Sequence, residues 1–306
     1  MLFRSRVFRS LDPEEFEKCF ISWVELLRKN ISKEIVAIDG KTIRRSFDKA
    51  NGELAIHIVS AWGKENGLSL GQVAVSEKSN EITAIPKLLQ LLSLEGCIIT
   101  IDAMGCQKKI VKEIRRQKAD YVLELKKNHE KLFNKVEIFF ERHRENQFVN
   151  FKHKYLETKD KNHGRIEIRR YWITEDITDL DTDHAWTDLL SIGMVERIRI
   201  IGEKTEREVH FYLTSLKAEA KEFARAARGH WSIENSLHWV LDVIFREDES
   251  RVRKDYGAQN LAILKKIALN LIKVNSTQKA SMRSKRRIAA LNQNFLLEIL
   301  LDKSVS

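Results

Sequence analysis

Proline is scarce in this 306-residue chain, with 2 occurrences, and glycine is limited to 12. That composition excludes a collagen-like or Pro/Gly-rich disordered chain. Three cysteines, Cys19, Cys97 and Cys106, include no Cys-x-x-Cys pair. An odd count at that spacing supports neither a disulfide framework nor a zinc ribbon. No apolar run approaches the ~18–20 residues a membrane helix needs. The opening MLFRSRVF is charged but leads into no apolar stretch, so it does not read as a secretory leader. Gly40-Lys41 lacks the rest of a phosphate-binding loop, and no His-Glu-x-x-His occurs. Neither a nucleotide cofactor nor a zinc-protease site is indicated. No internal repeat is present.

Acidic residues are in deficit. Asp and Glu number 44 against 54 Lys and Arg, a net charge of +10. The surplus favours a polyanionic partner such as DNA or RNA, and the expected setting is cytoplasmic and nucleoid-associated. At 43% hydrophobic residues the chain can build a sizeable core.

The periodicities divide the chain. Residues 12–30 read as a helix, with Asp12 as N-cap, Pro13 at the first position and Phe16, Phe20, Trp23 and Leu27 as its apolar stripe. Strands follow at 34–39, 54–62 and 68–76, then a helix at 81–94, a strand at 97–103, a basic amphipathic helix at 107–118, a strand at 120–125 and a helix at 128–143. Alternating strands occupy 164–175, 189–200 and 207–216, separated by polar loops such as 159–164. Helices resume at 218–231, 232–245, 257–273 and 291–300, with a basic cluster of Arg283, Lys285, Arg286 and Arg287 before the last.

Two carboxylates finish buried strands, Asp39 before Gly40 and Asp102 before Ala103. A strand end holds an acid rigidly yet leaves it accessible, and paired carboxylates suit Mg²⁺ or Mn²⁺ rather than zinc. Either acid alone is explained more simply as a turn residue after a strand. The order β-β-β-α-β-α-β is that of a ribonuclease-H-like fold, whose first and fourth strands are neighbours, and these carry Asp39 and Asp102. A third acid is expected from a later helix. In residues 232–245, Ile233, Leu237, Val240, Leu241 and Ile244 share a face, and Glu234 borders it. Asp242 is its rival, eight residues on and near the same face.

The segments VAIDGK (36–41), TIDAMGCQ (100–107), ADYVLELKKNH (119–129), HGRIEIR (163–169) and RGHWSIENSLHWVLDVIFREDESRVRK (228–254) together resemble the DDE transposases of bacterial insertion sequences, and among them the H-repeat-associated subgroup. The resemblance runs from about residue 10 to about 275. It implies an α/β, ribonuclease-H-like mixed sheet with flanking helices, interrupted by a mostly β insertion. It also implies a catalytic triad of Asp39, Asp102 and Glu234. Asp102 lies 63 positions after Asp39 and 132 before Glu234, room enough for the insertion. Two Mg²⁺ ions, for which Mn²⁺ can substitute, would sit about 3.5–4 Å apart in such a site. The implied partners are double-stranded DNA, as element ends and target, and a second copy of the chain on that DNA, with no membrane. The implied reaction is strand cleavage followed by strand transfer. A nuclease without joining, or a DNA-binding remnant without catalysis, are the alternatives.

The expected organisation is an N-terminal helical segment at 1–33, shortened relative to the subgroup, a first core part at 34–144, a β-rich insertion at 145–216, a helical completion at 217–275 carrying the Glu, and a basic tail at 276–306. Many relatives in this class place a Tyr, an Arg and a Lys around the Glu; those positions here hold Ala227, His230 and Leu241. His230, Arg225 and Arg228 are therefore candidates for phosphate contact, with Lys126 and Lys127 after the strand at 120–125, and Arg165 and Arg169 beside His163. A solvated hairpin explains the last group as well. Trp231 and Trp239 are expected to anchor their helix in the core.

Overall fold

The computed structural model describes residues 2–47, 54–75, 80–162, 164–178, 180 and 185–301. The chain forms two compact units, one of residues 1–93 with 231–306 and one of residues 94–230.

The first unit opens with α1 (Leu2–Ser10) and α2 (Pro13–Leu27). Asp12 caps α2 by accepting the Glu14 and Glu15 amides at 2.9 and 3.2 Å, and Pro13 takes the first position, where its missing N–H costs nothing. Strands β1 (Ile35–Thr42), β2 (His57–Gly63) and β3 (Leu68–Val75) then form an antiparallel meander. Gly67, in the turn joining β2 and β3, adopts φ +68°, a conformation that favours glycine. Helix α3 (Glu81–Leu91) follows.

The inward face of α2 is rotated from the expected stripe. Pro13, Glu17, Phe20, Ile21 and Val24 are buried, while Phe16, Trp23 and Leu27 are only partly covered. Glu17 sits inside because the outer edge of β3 needs partners. Its Oε1 accepts the Gln72 amide at 2.8 Å, and the Asn270 side chain exchanges two 2.9 Å hydrogen bonds with the Ser69 backbone. Side chains thus take the place of a further strand.

The second unit contains β4 (Ile98–Ile101), α4 (Lys108–Arg116), β5 (Asp120–Leu125), α5 (Glu130–Glu145), β6 (Lys154–Asn162), β7 (Arg165–Thr174), β8 (Ser191–Ile201), β9 (Lys204–Thr214) and α6 (Ala220–Gly229). β4 and β5 are parallel, β9 joins β5 antiparallel, and β8, β7 and β6 continue in antiparallel order. The later strands therefore extend the β4–β5 sheet. The expected polar loop at 159–164 is corrected: Lys159–Asn162 belong to β6. Charges alternate along that edge strand with no apolar face, so hydropathy does not mark it. His163 lies outside the described residues. Gly193 leaves room for Phe223 of α6, whose ring occupies the space a Cβ would need.

The chain returns to the first unit with a π-helical stretch, Glu234–His238, running directly into α7 (Trp239–Val243). α8 (Gly257–Val274), α9 (Met282–Leu291) and α10 (Gln293–Leu301) complete it. The basic cluster at 283–287 is helical, and two of its cations turn inward. Lys285 donates to the Asn275 carbonyl, and Arg286 donates to the Ile244 carbonyl and lies 5.3 Å over the Phe245 ring. Among the described residues no helix is long and apolar enough to cross a membrane.

Burial pushes the Glu17 carboxyl up to about 8, against the Gln72 amide and the Lys266 ammonium that pull it down. The folded state thus favours the protonated acid. Its contribution to stability is complete below the ordinary carboxylate range and is lost as pH rises through about 8. Glu17→Gln is expected to remove a fall in stability on the order of a few kcal/mol between about pH 5 and 8. Urea unfolding midpoints across that window measure it, and an unchanged slope would contradict the assignment.

Candidate active site

Alternation along β1 sends Ala37, Asp39 and Lys41 to one face and Ile38, Gly40 and Thr42 to the other. Residues 232–243 pack over the first face. Ala37 joins Ile233, Leu237 and Leu241 in an apolar cluster, all at most 1% exposed. One step along, Asp39 Oδ2 lies 3.4 Å from His238 Nδ1. One step further, Lys41 Nζ bonds the Asp242 carboxylate. Asp39 is thus not the last residue of its strand, as expected from sequence; β1 runs on to Thr42.

Lys41 is held from two further directions. Its Nζ lies 3.0 Å from Glu247 and 3.6 Å from Asp248. Burial alone would lower its pKa, but the Glu247 and Asp242 carboxylates raise it, so the ammonium stays charged. Asp242 is shifted upward by burial, against the pull of Lys41.

Gly40 allows a close approach on the opposite face. A Cβ there would fall against Glu81 Oε1 and His57 Nε2. Those two atoms are 2.6 Å apart, and His57 Nδ1 lies 2.8 Å from the Thr42 hydroxyl.

Asp39 and Glu234 open into one cavity of about 420 Å³, with Lys41, Arg44, Asp242 and Asp248 in its wall. Glu234 is exposed and starts the π-helical stretch. Single wide turns of this kind recur at functional sites. Trp239, expected in the core, is 54% exposed, which corrects that reading. Ile233, Leu237, Leu241 and Ile244 of the expected stripe are buried, and Val240 is partly buried. Leu241 is buried in it, so that position cannot present a polar group to the cavity.

Asp102 belongs to the second unit. It follows β4 and caps a short turn, Oδ1 accepting the Met104 and Gly105 amides at 3.1 and 3.3 Å. The suggested DNA contacts all lie in this unit too. Lys126 pairs with Glu124 at 3.3 Å, and Lys127 is exposed. Arg169 is buried and bonded to Glu167 and Asp160, while Arg165 lies 3.4 Å from Glu167. Arg228 pairs with Asp160 at 3.1 Å, Arg225 is half-buried, and His230 Nδ1 lies 3.3 Å from the Thr100 hydroxyl. The buried Arg169 ties strands together, and no phosphate reaches it without displacing two carboxylates. Sequence reasoning did not find His238 or Lys41. The signal was present, since His238 falls one helical turn from both Glu234 and Asp242.

The donor chemistry suits a hard divalent cation: carboxylate oxygens from Asp39 and Glu234, with no thiolate in the cavity wall. Among the described residues, no three His, Cys, Asp or Glu side chains are gathered into a ready metal cage.

A family model described as a transposase DDE domain matches residues 30–271. The chain belongs to the DDE transposase family. "Putative transposase YncI" of Escherichia coli O157:H7 is 43% identical over 304 residues, covering 98% of this chain and 77% of the relative. "H repeat-associated putative transposase YhhI" of Escherichia coli K12 is 39% identical over 308 residues, covering 99% of this chain and 80% of the relative. The resemblance read from the sequence is thus borne out, as is the fold class of this DDE transposase, a mixed α/β domain of the ribonuclease-H-like kind. Members of this family act on DNA and generally use divalent metal ions.

Lys41 in this DDE transposase neutralises a buried carboxylate, because the Glu247 side chain is 3% exposed. Lys41→Met should therefore cost about 3 kcal/mol, most of it from stranding that charge. Lys41→Met combined with Glu247→Gln should cost less than Lys41→Met alone. Denaturant unfolding of the three proteins tests this; a double variant at least as unstable as the single one would refute the charge argument.

Proposed function

We propose that the chain is a metal-dependent DDE transposase that cuts DNA at insertion-sequence ends and joins the freed 3′ end to target DNA. Asp39, Asp102 and Glu234 are its catalytic carboxylates. The observation that carries this reading is that Asp39 and Glu234, 195 positions apart in sequence, open into one cavity whose other candidate acid, Asp242, is engaged by Lys41.

The chain's own groups are arranged for the task. Asp39 is oriented by the Gly40 amide, 2.9 Å from Oδ1, and by His238 on the other oxygen. Asp102 spends one oxygen on backbone amides and keeps the other for a ligand. Glu234 reaches the cavity from the first wide turn of its helix. Divalent ions held by these carboxylates, Mg²⁺ with Mn²⁺ as substitute, would activate the attacking water or 3′-OH and stabilise the leaving 3′ oxygen. No side chain needs to form a covalent bond to DNA.

In this reading residues 34–144 and 217–275 make up the catalytic core, 145–216 are the β-rich insertion, and 1–33 and 276–306 flank it. The protein acts as a dimer on DNA in the cytoplasm, because both ends of an element must be joined. Lys126, Lys127, Arg225, Arg228 and His230 contact phosphate.

The test is cleavage and joining of labelled duplexes carrying element ends in Mg²⁺. The wild-type chain should give both nicked and joined products. Asp39→Asn, Asp102→Asn and Glu234→Gln should each fall to background, while Asp242→Asn keeps metal-dependent cleavage. Full activity in any of the first three overturns the site. Cleavage without joining would reduce the protein to a nuclease, and a shifted band without cleavage to a DNA-binding remnant.

A further inference from the structure

The chain just beyond β1 closes a tight turn. Ser46 donates from both its amide and its hydroxyl to the Ile43 carbonyl, at 3.1 and 2.7 Å, and the Ile56 amide donates back to Ser46 Oγ at 2.8 Å. Ile43 and Ser46 are buried by this, and Arg44 and Arg45 between them are turned outward. Arg44 also stands in the wall of the Asp39 cavity, its side chain 83% exposed.

A second basic segment lies against the first. Arg251 and Lys254 are exposed, and Arg253 between them donates to the Arg45 carbonyl at 3.1 Å, with its guanidinium 4.8 Å over the Phe47 ring. The acids around these segments are engaged mostly by other cations. Asp242 and Glu247 bind Lys41, Glu249 lies 3.4 Å from Arg246, and Asp255 lies 2.6 Å from Arg9. Asp248 is shared between Lys41 and Arg44.

We propose that Arg44, Arg45, Arg251 and Lys254, held in place by Arg253, form a binding surface for the phosphate backbone of duplex DNA at the rim of the Asp39 cavity. The inference rests on the transposase reading for its choice of DNA as the polyanion. Exposed guanidinium forks match phosphate oxygens and carry no base specificity, so the surface positions the duplex rather than reading it. It lies in the first unit, whereas the contacts suggested at Lys126, Lys127, Arg225, Arg228 and His230 lie in the second.

Binding of the full-length chain to a labelled random-sequence duplex, in EDTA across a salt series, tests this apart from cleavage. Removing one cation that pairs with a phosphate should reduce the slope of log K against log salt by about 0.9. The triple variant Arg44→Ala, Arg45→Ala, Arg251→Ala should lose roughly 2–3 from that slope and bind about ten-fold or more weakly at moderate salt. Should the triple variant fail to fold, as read by its thermal melt, Lys254→Ala and Arg45→Gln each report a loss of about one unit of slope. Unchanged slopes overturn the proposal, as does a wild-type chain that does not bind duplex or that prefers single-stranded RNA. Failure of the catalytic reading shows elsewhere, as cleavage that survives Asp39→Asn.

Discussion

The site depends on a match between two repeats. Alternate residues of a strand advance about 6.6–6.8 Å along it, and residues four apart on a helix advance about 6 Å. Ala37, Asp39 and Lys41 therefore meet successive turns of residues 232–243, first in an apolar contact, then against His238, then against Asp242. The apolar step excludes water and fixes the helix on the strand. The charged step beyond Asp39 fixes it from the other end. Between these anchors Asp39 has little freedom, and Glu234 is carried on the same helix. The wide turn at Glu234–His238 changes the phase of the helix there. That shift lets buried Leu237, exposed Glu234 and Asp39-facing His238 coexist within five residues.

Burying polar groups is costly unless each finds a partner, and the first unit uses this cost to protect a sheet edge. β3 would otherwise offer its backbone to another chain. Glu17 and Asn270 take those hydrogen bonds from within the fold, and Lys266 donates to the Gln72 side chain. Burial makes Glu17 keep its proton more readily, against the pull of the Gln72 amide and Lys266, and burial pulls Lys266 downward. The arrangement ties α2 and α8, far apart in sequence, to the same strand. A hydrophobic edge would be more stable in isolation and more prone to pairing between copies.

Most of the element order was legible in the sequence, because β1, β4 and β5 are short apolar runs, hydropathy alternates in β2, β3 and β7–β9, and it has helical period in α2–α8. What escaped did so for particular reasons. β6 is charged on both faces, so its only strand signal is backbone pairing with β7, a nonlocal property. The end of β1 was obscured by Asp39-Gly40, which reads locally as a turn but here lets His57 and Glu81 lie across the strand. Glu17 was invisible as a buried residue because its reason is the edge of β3, more than fifty positions away. The carboxylates were legible as types at strand ends and beside a helical stripe. Their neighbours His238 and Lys41 were not, because a histidine or lysine acquires meaning only from what it faces.

Net charge shows a similar division between what composition carries and what folding decides. A surplus of +10 points to a polyanion but says nothing of where it binds. Folding withdraws many cations from that role. Lys41, Arg169, Lys285 and Arg286 are spent on carboxylates or carbonyls inside the fold. Those withdrawals are not random with respect to the cavity. Lys41, in the cavity wall, takes up Asp242 and Glu247. In the proposed reading the same lysine separates structural carboxylates from catalytic ones. A cavity so divided can hold positive charge at one end without collapsing its own acids onto the nearest base.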